Sequence, residues 1–282
     1  MKIKGSTNIV GLIGHPVEHS FSPPMHNAAF DALGMDYAYV AFDVNPNDLS
    51  SAIEGAKSLN IKGFNVTIPH KIEVMKHLDE LDDVARLIGA VNTIDFESMK
   101  GYNTDGIGAI RAIEEVTKVK GKDVIVAGAG GASRAISFYL AKFGASSITI
   151  LNRNTERAQN LASDVSASDL IADVSAGPIS EIDNLLEDTD ILVDTTPLGM
   201  DPHIDDEPIV RRENMHEDLV VFDAVYNPNE TVLLREAIEA GAKPVYGIKM
   251  LLYQGAESFR IWTGRDAPVD VMENALNEFL GR

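Results

Sequence analysis

The 282-residue chain carries 43 acidic against 24 basic side chains, a formal net charge of −19, and no cysteine. Such acidity disfavours nucleic acid and anionic membranes as partners, and the absence of cysteine excludes disulfides and thiolate metal sites. With 45% hydrophobic residues and no apolar run near the roughly 18 residues that span a bilayer, the expectation is a cytoplasmic globular protein, too long for one comfortable core and best read as two domains.

The opening segment reads as a first strand, without the cleavage pattern of an export signal. Strands are predicted at Asn8–Ile13, Tyr37–Asp43, Ile61–Val66 and Ala90–Ile94, alternating with helices at Pro23–Leu33, Pro46–Ser58 and Pro69–Leu78. Each of these helices opens on proline, whose missing N–H costs nothing in a first turn. A second series starts near Gly121: strand Asp123–Ala127, helix Ala132–Phe143, strand Ser147–Leu151 and helix Thr155–Ser163. It continues with strands Asp190–Asp194 and Leu219–Ala224, helix Asn229–Ala240 and strand Lys243–Tyr246, then closes with helices Ile248–Trp262 and Pro268–Leu280. The alternation implies an α/β fold with largely parallel sheets. The stretch Asp201–Glu207 reads as an acidic surface loop.

Between the strand DVIVA and the following helix lies Gly128-Ala129-Gly130-Gly131-Ala132-Ser133-Arg134. Glycines there let the backbone turn tightly and approach a pyrophosphate at the positive end of the helix. The loop departs from G-x-G-x-x-G, with Ser133 at the third glycine position and Gly131 in addition. Glycine-rich turns are common, so the second strand decides the reading. It ends in Asn152-Arg153-Asn154-Thr155-Glu156-Arg157, where an NAD-binding chain usually places an acidic residue for the ribose hydroxyl. Arginine instead suits a 2′-phosphate, so NADP is the expected cofactor.

Four further clusters put polar groups at strand ends: GHPVEHSFSPPMHN, FNVTIPHK, GAVNTI and GYNTDG. In the first, Ser20 and Ser22 stand before a helix, as caps or as donors to a carboxylate. In order along nearly the whole chain, these clusters together with GAGGASRA, NRNTERA, TTPLGM and YQGAESFRIWTG resemble the shikimate dehydrogenase family, within the wider shikimate/quinate dehydrogenases. The resemblance implies reversible NADPH-dependent reduction of 3-dehydroshikimate to shikimate, a step of aromatic amino-acid biosynthesis. It implies that Ser20 and Ser22 bind the substrate carboxylate, that Thr67, Asn92, Asp105 and Gln254 contact ring hydroxyls, and that Tyr226 and Lys71 lie nearby. On the cofactor side it implies Gly128, Ala129, Gly130, Gly131 and Ala132 at the pyrophosphate, and Asn152, Arg153, Asn154, Thr155 and Arg157 at the adenosine ribose phosphate. Ala224 and Gly247 would line the nicotinamide pocket, with Asp83 at a looser cofactor position. It also implies the division: residues 1–106 plus 247–282 as an α/β substrate domain completed by C-terminal helices, and 107–246 as a Rossmann-like, doubly wound NADP domain inserted between. Two departures stand out, Asp194 for a usual asparagine and Lys249 for a usual small residue, both placed to tune cofactor affinity.

A carbonyl that accepts hydride also needs a proton. Lys71 and Asp105 are the candidates, as an acid/base dyad or as an ion pair that only positions substrate. His70 is the alternative base by residue type, but its neighbour matches the family's lysine, so His70 is expected to cap or pack. The other histidines show no ligand spacing, and no metal is expected. Alternatives are an enzyme that also takes quinate, with NAD, and a catalytically silent sensor on the same fold. The expected partners are small molecules, with the chain a monomer or homodimer that closes around its ligands.

Overall fold

The computed structural model describes residues 2–168, 170 and 172–280. In chain order the elements are β1 (Asn8–Gly14), α1 (Ser22–Ala32), β2 (Tyr37–Asp43), α2 (Leu49–Ser58), β3 (Gly63–Val66), β4 (Glu80–Leu81), α3 (Asp83–Ile88), β5 (Thr93–Asp95) and β6 (Lys100–Tyr102). There follow α4 (Asp105–Ile113), β7 (Asp123–Ala127), α5 (Gly131–Lys142), β8 (Ser147–Asn152), α6 (Thr155–Ser166), β9 (Asp173–Pro178) and α7 (Ile182–Leu185). The chain ends with β10 (Ile191–Asp194), β11 (Val220–Asp223), α8 (Val232–Ala240), β12 (Lys243–Tyr246), α9 (Gly247–Thr263) and α10 (Val269–Phe279). It divides into two compact units, Met1–Thr104 with Gln254–Arg282, and Asp105–Tyr253, so that the division falls within α9.

The first unit is built on a six-stranded sheet of order β2-β1-β3-β5-β6-β4. Its β2, β1 and β3 run parallel, as do β4 and β6, whereas β3–β5 and β5–β6 are antiparallel, so the sheet is mixed. The reversal comes from the short connection after Asp95, whose carboxylate accepts the N–H groups of Glu97 and Ser98 at 3.1 and 3.3 Å and folds β5 back into β6. Leu49, Ile53 and Ala56 of α2 meet Ile13, Phe64, Val66 and Ile94 in one core. Against α1, Phe30 stacks on Phe259 of α9 with centroids 5.0 Å apart, and the Trp262 indole donates to the carbonyl of Ile94 at 2.9 Å. His26 lies fully buried, face to face with Tyr39 at 4.4 Å, and burial lowers its pKa to about 3, so it stays neutral.

The second unit holds a sheet of order β12-β11-β10-β7-β8-β9 with every pairing parallel. Its central strands β7, β10 and β11 read as near-continuous apolar runs because helices cover both faces of a parallel sheet. The order of strands reverses between β7 and β10, which opens a crevice beyond their carboxyl ends.

One expected helix is absent. After β3 the segment Pro69–Leu78 makes turns and a short 3₁₀ stretch at Glu73–His77, with no α-helix. The carbonyl of Lys71, which a helix would offer to residue 75, instead accepts the N–H of Val91 at 2.8 Å. Tertiary pairing has overridden local pattern. Elements β4, α3, β6, α4, β9 and α7 have no counterpart among the sequence-predicted ones.

Candidate active site

In the second unit a cavity of about 520 Å³ opens at the reversal point of the sheet, a volume suited to a small organic ligand. Gly128, Ala129 and Gly130 line it from the β7–α5 loop, Asn152, Arg153 and Arg157 from the end of β8, and Thr195, Thr196, Pro197 and Leu198 from the end of β10. Gly128 has φ of 108°, and a β-carbon there would sit 2.3 Å from the Thr195 hydroxyl, so only glycine lets the two loops approach. Gly131 and Ala132 open α5, which begins without a side-chain cap, leaving first-turn N–H groups for an anion. Ser133, at the third position of the glycine pattern, is fully buried and donates to the carbonyl of Gly128 at 2.6 Å. Its hydroxyl braces the loop from behind.

Asn154 caps α6 by accepting the N–H of Arg157 at 3.1 Å, with Thr155 as the first helical residue. Arg153 and Arg157 are exposed, and among the described residues neither makes an ion pair. In a chain this acidic, two guanidinium groups on one pocket wall are a distinctive charge. Arg134, one turn into α5, is by contrast held by Asp164 at 2.5 Å. Ser180 and Asp183 also line it, with no motif in the sequence to announce them.

Ala224 follows β11, and its N–H donates to the carbonyl of Asp194 at 2.9 Å. Gly247 starts α9, where a β-carbon would meet the carbonyls of Asp223, Ala224 and Val225 at 2.5–2.7 Å. Neither lines the cavity. Asp83 belongs to the first unit, in the first turn of α3, and does not line it either.

Asp194 does not supply the negative charge its residue type suggests. It is buried beside Asp223, its register partner across β10 and β11, and accepts the N–H of Thr196 at 2.7 Å. Burial first, then the neighbouring carboxylate, push its pKa up to about 8, so near neutrality it is a neutral carboxyl shaped like asparagine. Burial raises Asp223 to about 6, against hydrogen bonds from the Thr231 hydroxyl at 2.6 Å and the N–H of Val225 at 2.9 Å. Lys249 points to a different task from cofactor tuning. Its ammonium lies 3.3 Å from Glu115, which also accepts the Tyr253 hydroxyl, while Arg111 covers the Tyr253 ring at 4.8 Å. These contacts tie α9 to α4.

In the first unit the polar residues gather where β1 and β3 end and β5 begins. Ser20 follows β1 and its hydroxyl accepts the N–H of Ser22, the buried first residue of α1, at 3.2 Å. Neither serine caps α1 in the usual way; the N-cap position is Phe21. Thr67 follows β3, its N–H bound to the carbonyl of Ile13 at 2.9 Å, and Lys71 lies one turn beyond. His70 is buried and donates from Nε2 to the carbonyl of Val44 at 2.7 Å, so it packs as expected, though not on a helix.

Asn92 and Gln254 are both buried and meet through Thr104. Asn92 Oδ1 accepts the Thr104 N–H at 2.7 Å, Asn92 Nδ2 donates to the Thr104 hydroxyl at 3.0 Å, and that hydroxyl reaches Gln254 Oε1 at 3.5 Å. Asp105 follows Thr104 directly and opens α4 in the second unit; Tyr226 also belongs to that unit, half-exposed after β11. Asn65, Thr93 and Ser258 sit behind Asn92 and carry no assigned role from the sequence. A detectable signal exists for Asn65, a polar residue inside an apolar strand, and for Ser258, one turn from Gln254 on the same helix face.

Comparison with known proteins matches this architecture segment by segment. Residues 12–94 match the shikimate dehydrogenase substrate binding domain, 111–230 match shikimate / quinate 5-dehydrogenase, and 247–276 match the shikimate 5′-dehydrogenase C-terminal domain. The shikimate dehydrogenase (NADP+) of Methanobrevibacter smithii is 70% identical over 278 residues, covering 99% of each chain. A crystal structure of a shikimate dehydrogenase with NADP+ superposes with a TM-score of 0.90 at 50% identity, covering 100% of this chain and 98% of the other. The shikimate 5-dehydrogenase of Listeria monocytogenes, crystallised with shikimate and NAD, gives 0.93 at 35% identity and 98% coverage of both. Full-length identity at this level, on a fold with the same parts in the same order, leaves one assignment: the chain belongs to the shikimate dehydrogenase family.

Proposed function

We infer that the protein catalyses the reversible, NADPH-dependent reduction of 3-dehydroshikimate to shikimate, in aromatic amino-acid biosynthesis. The observation that carries this is the full-length identity to shikimate dehydrogenase (NADP+), 70% over 278 residues. The cofactor choice is supported by Arg153 and Arg157 on the pocket wall, where paired N–H donors suit a 2′-phosphate. Gly128, Ala129, Gly130, Gly131 and Ala132 would receive the pyrophosphate, with Asn152, Asn154 and Thr155 at the ribose and Ala224 and Gly247 toward the nicotinamide. We assign the nucleotide to the unit spanning Asp105–Tyr253 and the substrate to the unit spanning Met1–Thr104 and Gln254–Arg282.

NADPH, when held by these residues, would supply the hydride that the substrate's carbonyl carbon accepts. The chain must then place a proton on the carbonyl oxygen, so that C=O becomes CH–OH. Lys71 would donate it from Nζ, and Asp105 would accept a hydrogen bond from the reacting hydroxyl and orient the lysine. Ser20 and Ser22 would hold the carboxylate, Thr67, Asn92 and Gln254 the ring hydroxyls, and Tyr226 would complete the pocket. Prebuilt hydrogen bonds to Asn92 and Gln254 support this reading, because fixed donors lose little freedom when substrate arrives. The test is to mix purified protein with 3-dehydroshikimate and NADPH and follow the cofactor's absorbance. Oxidation of NADPH, with NADH a much poorer donor, is expected; no turnover with either cofactor would overturn the assignment. Among the described residues no helix is long and apolar enough to cross a membrane.

A further inference from the structure

Ser258 is fully buried on α9, one turn beyond Gln254, and its hydroxyl is the meeting point of four groups. It donates to the backbone carbonyl of Gln254 at 3.0 Å and accepts from Asn65 Nδ2 at 2.9 Å. The hydroxyls of Thr93 and Thr104 lie 2.9 and 3.3 Å away. A serine hydroxyl has one hydrogen and two lone pairs. With the hydrogen committed to Gln254, the lone pairs remain for the Asn65 amide and a threonine O–H.

The orientation of Asn65 is set from its other end. Tyr39 is buried and donates its hydroxyl to Asn65 Oδ1 at 2.8 Å; burial raises the phenol's pKa, so the proton stays. Asn65 Nδ2 therefore faces Ser258, Thr93 at 3.1 Å and the carbonyl of Asn92 at 3.3 Å. Thr93 also lies 3.0 Å from Asn92 Oδ1, and Thr104 bridges Asn92 and Gln254. Losing the Ser258 hydroxyl would strip Asn65 of its nearest acceptor and free the threonine hydroxyl that donates to it to turn. Both threonine hydroxyls contact the Asn92 amide, and Thr104 reaches the Gln254 amide.

We propose that Ser258 is a positioning residue for the substrate site, acting through Thr93 and Thr104 to hold the Asn92 and Gln254 side-chain amides in binding orientation. This rests on the substrate reading above. The experiment uses full-length Ser258→Ala, with Ser258→Cys in its place if the alanine variant does not fold. Two readouts are taken: KM for shikimate and for NADP+, and the side-chain amide NMR signals of Asn92 and Gln254 without ligand. The expected result is a KM for shikimate raised roughly five- to tenfold, a KM for NADP+ within about twofold of wild type, and displaced Asn92 and Gln254 signals. A lower melting temperature with unchanged KM and unmoved amide signals would make Ser258 merely structural and overturn the proposal. Should the wild type neither turn over nor bind shikimate, the substrate reading fails; unmoved amide signals in the variant would still refute the positioning role, and displaced ones would still support it.

Discussion

The two units prepare for a ligand in opposite ways. In the first, Asn92, Gln254, Thr104 and Asn65 are buried and already bonded to one another before any ligand arrives. In the second, the glycine loop offers backbone, and Arg153 and Arg157 stand exposed with no ion-pair partner among the described residues. The first arrangement suits a small, hydroxyl-rich ring, whose every group must find a fixed counterpart. The second suits a long, charged cofactor, which can be held by its phosphates through dipoles and exposed cations.

The largest break in that contrast is expected from Lys71→Ala. Loss of a general acid costs about 10²–10⁴-fold in rate, so kcat should fall by that factor with the KM for NADPH little changed. A near-normal kcat with a raised KM for 3-dehydroshikimate would reduce Lys71 to a binding group. Next in size, Arg153→Ala and Arg157→Ala, each made singly, should raise the KM for NADPH roughly 10–100-fold, since one hydrogen bond to a charged group contributes about 1.5–3 kcal/mol. The KM for NADH and for substrate should stay put. An equal loss for NADH would place the arginines away from the 2′-phosphate.

The smallest effect sharpens the contrast from inside the second unit, where one carboxyl is buried and protonated rather than offered as a charge. The pKa of Asp194 is raised from 3.8 to about 8, so the folded state holds a proton that the unfolded state releases. Its stability contribution is therefore complete below about pH 4 and lost as pH rises through about 8. Asp194→Asn should match wild type in melting temperature near about pH 4 and exceed it near about pH 8. Each kcal/mol relieved corresponds to about 2–4 °C. Parallel melting profiles across that range would show that the pair does not titrate as the geometry implies.

How much of this was legible beforehand differs between the units. The glycine loop, its helix and the arginines after β8 follow from local rules, because a parallel strand–turn–helix unit is written in consecutive residues. The stretch Pro69–Leu78 misleads for the same reason: it has a helix-start pattern, but the Lys71 carbonyl is taken by Val91, some twenty residues on. Strand β9 has only Val174 as a large apolar side chain and ends on Gly177 and Pro178, residues strands disfavour, so its pairing with β8 rather than its composition makes it a strand. The protonation of Asp194 is equally invisible in sequence, since it depends on the depth of β10 and on Asp223 across the sheet. In the candidate site, residues at strand ends could be named from motifs. The hydroxyl network behind them could not, because its members come from β2, β3, β5 and α9.

That discontinuity has a consequence for how the chain is made. Asn65 meets a partner 193 positions later, and Trp262 reaches back 168 positions to Ile94. A ribosome delivers residues 1–104 first, yet these bonds have no second half until the last helices emerge. The unit spanning Asp105–Tyr253 is continuous and meets no such delay. Of the two units, the one whose residues start earlier in the chain is thus completed later, its buried amides waiting for a serine and an indole that follow the whole of the other unit.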